Sequence, residues 1–111
     1  MLSFLTTNDS VVILDNMKAQ LLLDHKTVAR NGAILQLKIW KVPESIPPTT
    51  HGFKYRLVYI RNGERVVGFD NERNKGDHMH LDGAEFPYHF RGIERLIEDF
   101  IAEVEKRRGQ L

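Results

Sequence analysis

The stretch Gly68-Phe69-Asp70-Asn71-Glu72-Arg73-Asn74-Lys75-Gly76-Asp77-His78-Met79-His80 gathers the residue types that do chemistry. Asp70, Glu72 and Asp77 can accept protons or bind a hard cation, Arg73 and Lys75 can hold an anion, and His78 and His80 titrate near neutrality. Gly68 and Gly76 can supply sharp backbone bends. Three readings fit these residues. In the first, His78 and His80 transfer protons, Asp70 and Glu72 orient them, and Arg73 or Lys75 stabilises a developing phosphorane, as a metal-independent endoribonuclease requires. In the second, His78 and His80 bind a divalent metal with Asp77 or Asp70, although His-x-His is an unspecific signal. In the third, the segment is a structural or partner-binding loop whose charges pair locally, Asp77 capping a turn and Lys75 meeting Glu72. The first is carried forward as the expected site, with no metal and no cofactor. Other histidines offer less: His25 and His51 have no evident partner and read as solvated. The chain has no Walker loop, dinucleotide fingerprint, GxSxG or HExxH, so nucleotide hydrolysis and the familiar hydrolase mechanisms lose support.

These residues need a scaffold, and 111 residues with 41% apolar and 28% charged side chains suffice for one core. There is no cysteine, which excludes disulfides, thiolate nucleophiles and cysteine zinc sites, and fits a reducing compartment. Met1 to Asp15 lacks a basic leader region, and no apolar run approaches the roughly 18 residues of a membrane helix, so a cytoplasmic protein without a membrane partner is expected. The net charge of +1 is unevenly spread: residues 17–80 carry 11 Lys/Arg against 6 Asp/Glu, while the flanks are acidic. That distribution fits either an ordinary solvated surface or an anionic partner.

Hydrophobic periodicity predicts the positioning elements. Lys18 to Val28 leads through Asn31-Gly32 into Ala33 to Lys41, where Ala33, Leu35, Leu37 and Ile39 alternate with polar positions. Phe53 to Arg61 leads through Asn62-Gly63 into Glu64 to Asp70, with Phe53, Tyr55, Leu57 and Tyr59 on one face; Tyr55 and Tyr59 read as core. Asn-Gly suits a tight hairpin turn because both residues tolerate positive φ. The proline-bearing stretch Val42 to His51 reads as a linker, and Pro87-Tyr88-His89-Phe90 as a bend that places Phe90 at the start of a helix. Ile93, Leu96, Ile97, Phe100, Ile101 and Val104 recur at helical spacing, with Glu103 and Arg107 expected to pair on the wet side and Gly109 to end the helix. The expected fold class is α+β: an antiparallel sheet of about four strands in two hairpins, covered on one face by a C-terminal amphipathic helix.

The uncovered face then carries Lys18, Gln20, Lys26, Gln36, Lys38, Trp40, Lys54 and Arg56. Lys38, Lys54 and Arg56 with Trp40 suit a polyanion, since cations attract phosphates and an indole stacks on a base. The plainer alternative is a solvated sheet face with Trp40 packed under the proline loop.

The sequence also resembles the TumE family of toxins from bacterial type II toxin-antitoxin systems. The resemblance rests on Met17 to Leu22, Gly32-Ala33-Ile34, Ile39 to Pro43, Phe53 to Leu57, Gly68 to Arg73, Lys75 to His78 and Pro87 to Phe90, in this order and spacing. It covers about residues 17–106, which suggests a single domain over 17–111 preceded by an extension of residues 1–16. It implies a small bacterial cytoplasmic toxin neutralised by a cognate antitoxin, and it carries no catalytic mechanism. Joined to the chemistry above, the expectation is a toxin acting on RNA or at the ribosome, using the site residues named here. The alternative is a nucleic-acid- or protein-binding module that acts by occupancy.

Overall fold

The computed structural model describes residues 19–108. Lys18 and the expected extension, residues 1–16, lie outside them. Six strands, β1 (Gln20–Val28), β2 (Ile34–Lys41), β3 (Phe53–Arg61), β4 (Glu64–Glu72), β5 (Gly76–Leu81) and β6 (Ala84–Pro87), precede one helix, α1 (Ile93–Arg108). The strands form one antiparallel sheet in sequence order, and α1 packs on one face of it, chiefly over β4. The α+β class and the covering helix are as expected, but the sheet has six strands rather than about four.

The first extra strand, β5, comes from the segment read as a loop, and β6 from the residues that follow it. Asn71 pairs with Asp77 and Glu72 with Gly76, so the polar residues form a hairpin around the turn Arg73 to Lys75. Asn74 (φ 75°) and Gly76 (φ 79°) take left-handed backbone there. The Pro43 to His51 stretch braces this turn: Asn74 N–H donates to the Pro47 carbonyl at 2.9 Å, and a side chain at Gly76 would meet Pro48 Cγ at 3.2 Å. After β5, Asp82 (φ 52°) and Gly83 (φ 90°) turn the chain back into β6.

The turn chemistry explains the other hairpins. Asn62 (φ 54°) and Gly63 (φ 77°) both have positive φ, as a two-residue turn matched to strand twist requires. The Asn31-Gly32 turn differs, because only Gly32 is left-handed and the loop closes one step further out, where Ala29 N–H donates to the Ala33 carbonyl. Asn31 contributes through its side chain, Oδ1 accepting the Ala33 N–H at 2.9 Å.

Alternation along the strands sends Leu37, Ile39, Tyr55, Leu57, Tyr59, Val67 and Phe69 into the core against Leu96, Phe100 and Val104 of α1. Phe69 meets Phe100 edge-on at 5.8 Å and Tyr88 at 5.0 Å. Burying each large apolar side chain of α1 contributes about 1.5–3 kcal/mol, which is what holds the helix to the sheet. The Glu103–Arg107 pair forms at 2.9 Å, but not on the wet side as expected. Arg107 is buried and also binds Asp82 at 2.8 Å, tying the last helical turn to the β5–β6 turn. Helical spacing alone shows that two residues share a face; the turn that Arg107 covers was not visible in it.

Candidate functional site

Strand register builds the open face row by row. Asp24, Lys38, Arg56, Asp70 and His78 stand opposite one another across β1 to β5, and Gln36, Val58, Gly68, His80 and Glu85 form the next row across β2 to β6. Side chains directly opposite have Cβ atoms about 4.5–5.5 Å apart, so neighbours in a row lie within reach of one another except at Gly68, which has no side chain. Lys26, Gln36, Lys38, Trp40, Lys54 and Arg56 share this face, as the alternation predicted. Gln20 does not, because a bulge between Leu21 and Leu23 shifts the register and pairs Gln20 with Lys41, on the helix side.

The two histidines and the carboxylates expected to orient them do meet. Nε2 of His78 lies 2.5 Å from Oδ1 of Asp70, 3.7 Å from Oε1 of Glu72 and 4.0 Å from Oε2 of Glu85. The His78 and His80 rings stand edge to face at 5.1 Å. His78 is 3% exposed, and its Nδ1–H donates to the Gly76 carbonyl at 2.9 Å. The His78 ring is buried among the carboxylates it meets, whereas half-buried His80 is the more accessible imidazole. Burial lowers the pKa of His80, and the Arg65 cation adds to the effect. Arg65 reaches that position because Gly68 has no side chain: a Cβ there would lie 2.9 Å from Arg65 Cδ.

The expected phosphate-binding residues divide by what already holds them. Arg56 is exposed and has no ion-pair or hydrogen-bond partner among the described residues. Lys38 lies 5.7 Å from the centre of the Trp40 ring and 4.0 Å from Asp24. Lys54 is half-buried, its amine donating to the Asn71 carbonyl, and burial lowers its pKa. Arg73 is exposed in the β4–β5 turn, away from the row of Arg56 and Lys38. Lys75 bridges Glu85 at 3.1 Å and Glu72 at 3.9 Å, so its cation serves the cluster's own carboxylates.

Three contributors went unsingled in the sequence. Glu85 joins the cluster from β6, whose existence the Asp82-Gly83 pair could have signalled. Arg65 reaches the site from across the β3–β4 bulge. Asn71 is fully buried; its side chain accepts the Tyr55 N–H at 3.0 Å and donates to the Phe53 carbonyl at 2.8 Å, joining β3 to β4 where their own ladder ends after Asp70.

Asp77 belongs to the other face. Its Oδ1 accepts from His51 Nε2 at 2.8 Å and from the Tyr55 hydroxyl at 2.6 Å, and burial, with that second bond adding to it, pushes the Tyr55 pKa up. His51 is therefore not a solvated side chain: its Nδ1 accepts the Phe53 N–H, and its ring stacks on Phe90 at 3.8 Å.

Fold and site together define a small α+β protein whose helix-free sheet face sets cations beside a buried histidine–carboxylate cluster. The chain belongs to the TumE family: the family model described as Toxin TumE matches residues 15–108, a span that holds every residue of this site. It is a toxin of the toxin-antitoxin kind, which implies an antitoxin partner. No curated protein and no solved structure matches the chain. No helix among the described residues is long and apolar enough to cross a membrane.

Proposed function

We propose that this toxin acts on RNA, holding backbone phosphates on the open sheet face and cleaving beside the Asp70–His78–His80 cluster. The observation that carries this reading is the single row in which Lys38 and Arg56 lead directly to Asp70 and His78. Phosphate-binding cations next to ionisable groups are what phosphodiester cleavage needs, and Trp40 beside Lys38 offers a base a surface to stack on. In the metal-independent form expected from the sequence, His80 takes the proton of the attacking hydroxyl, Arg56 stabilises the phosphorane, and His78 has a positioning role.

Induced expression in bacteria, beside the Arg56→Ala and His80→Ala variants, tests this. The expected result is growth arrest accompanied by early RNA fragments, with both lost in soluble, folded variants. Arrest with intact RNA would overturn cleavage and leave a toxin that acts by occupying its target.

A further inference from the structure

The geometry around His78 sets two buried polar atoms, its Nε2 and Oδ1 of Asp70, side by side without a hydrogen bond to either among the described residues. Because Nδ1–H donates to the Gly76 carbonyl, the neutral ring carries its lone pair on Nε2. Oδ1 of Asp70, another acceptor, lies 2.5 Å from that Nε2. Both atoms are buried, and neither makes a hydrogen bond among the described residues. Two acceptors this close repel unless positive charge lies between them. A proton on Nε2 would turn the contact into an ion pair, and a cation held by both atoms is the other way to meet their charge. A cation placed to one side of the N···O line meets both lone pairs. His80 provides a third donor: ligand atoms of Asp70, His78 and His80 all fall within 4.8 Å of one another.

We propose that Asp70, His78 and His80 bind one divalent transition-metal ion, zinc being the best match. Two imidazoles and a carboxylate are the donors that zinc accepts, and three protein ligands leave a position open to water or substrate. The Gly76 carbonyl on Nδ1 fixes the His78 tautomer and strengthens Nε2 as a ligand, as outer-shell acceptors do at metal-bound histidines. Glu72 and Glu85 add negative charge near the ion, balanced in part by Lys75. The ligands stand on paired strands β4 and β5, so their spacing is set by sheet register.

Binding of the metal rests on this geometry alone; its role in cleavage rests on the RNA reading above. In that role Asp70, His78 and His80 would hold the ion, and water activated by it would replace His80 as the base toward the RNA 2′-hydroxyl. The 2′-oxygen attacks phosphorus as the bond to the 5′-oxygen breaks. The 5′-oxygen would leave with the proton that the 2′-hydroxyl gave up, and the product would be a 2′,3′-cyclic phosphate.

The test uses the full chain without a histidine tag, stripped with a chelator and titrated with zinc alone against a chromophoric competitor. One equivalent should bind, and His80→Ala and Asp70→Ala should each weaken binding by at least about 100-fold, the upper end of what losing an outer-shell partner costs. Arg95→Ala, at an exposed position of α1 on the opposite face of the sheet, should bind as wild type. Cobalt(II) should give visible absorption that His80→Ala removes, which a purely structural role for His80 would not produce. Failure to bind one equivalent, or binding unchanged in His80→Ala and Asp70→Ala, would overturn the site. RNA cleavage is scored separately: zinc binding without cleavage supports the site and overturns the nuclease, whereas cleavage without zinc binding does the reverse.

Discussion

Asp77 and His78 are neighbours in the chain but serve opposite faces of the sheet: Asp77 fastens His51 and Tyr55 on the helix side, and His78 meets Asp70 on the open side. The period of two along a strand separates them, so two residues that look like one constellation in the sequence belong to different machinery. Because β5 carries both, a slip of one residue in its pairing would exchange the faces. The Asp77 contacts therefore fix the register on which the cluster depends.

This separation predicts a clean division of phenotypes. Asp77→Ala should destabilise the protein by about 1–3 kcal/mol, the cost of leaving buried partners unpaired. At a temperature where the variant is folded, zinc binding should persist. Chemical denaturation alongside zinc titration checks this, and loss of zinc binding in a folded Asp77→Ala protein would show that Asp77 acts at the cluster itself.

Arg56 and Lys54 share a face but should behave differently toward RNA. Arg56→Ala should weaken RNA binding similarly across sequences and reduce the salt slope by about 1, with stability changed by no more than about 0.5 kcal/mol. Lys54→Ala should lower stability more and the salt slope less, since its amine is half-buried on the Asn71 carbonyl. Binding isotherms at several salt concentrations, read with melting curves, separate the two.

Much of the fold was legible because its signals are local. The alternation over Phe53 to Arg61, the Asn62-Gly63 turn and the helical spacing from Ile93 to Val104 each need only neighbours in sequence. The β4–β5 hairpin was hidden because both faces of Gly76–Leu81 carry polar residues, Asp77 on one side and His78 and His80 on the other, so no alternation marks a strand. The meeting of Asp70 with the histidines was anticipated from chemistry. The buried position of His78 and the arrival of Glu85 depend on strand pairing, as the His51–Asp77 contact depends on how the proline stretch folds back.

Acid should loosen the attachment of α1. The hydrogen bond from Arg107 holds the Asp82 carboxyl below its usual 3.8. A depressed folded-state pKa contributes stability that is present above the unfolded value and lost as pH falls through the folded one, so the loss belongs below about pH 4. Asp82→Asn should flatten the acid limb of a stability–pH curve in that window, with little slope change near neutrality. An unaltered acid limb would show that the Arg107 clamp carries no linkage.

Asn71 should prove the most sensitive polar residue near the site although it touches no substrate surface. Its side chain supplies the link between β3 and β4 beyond the Arg56–Asp70 pair, satisfying the Tyr55 N–H and the Phe53 carbonyl. Asn71→Ala leaves the buried Tyr55 N–H unpaired, at about 1–3 kcal/mol, and the carbonyl of half-buried Phe53 without this donor. Asn71→Asp keeps the acceptor for Tyr55 N–H but sets an anion against the Phe53 carbonyl, so it should be no better. If the strand ends part, Asp70 and Glu72 lose their fixed distance from His78, and zinc affinity should fall along with stability. Amide hydrogen exchange at Tyr55 reports the opening directly: protection there should drop in Asn71→Ala before the helix-facing centre of β3 is affected.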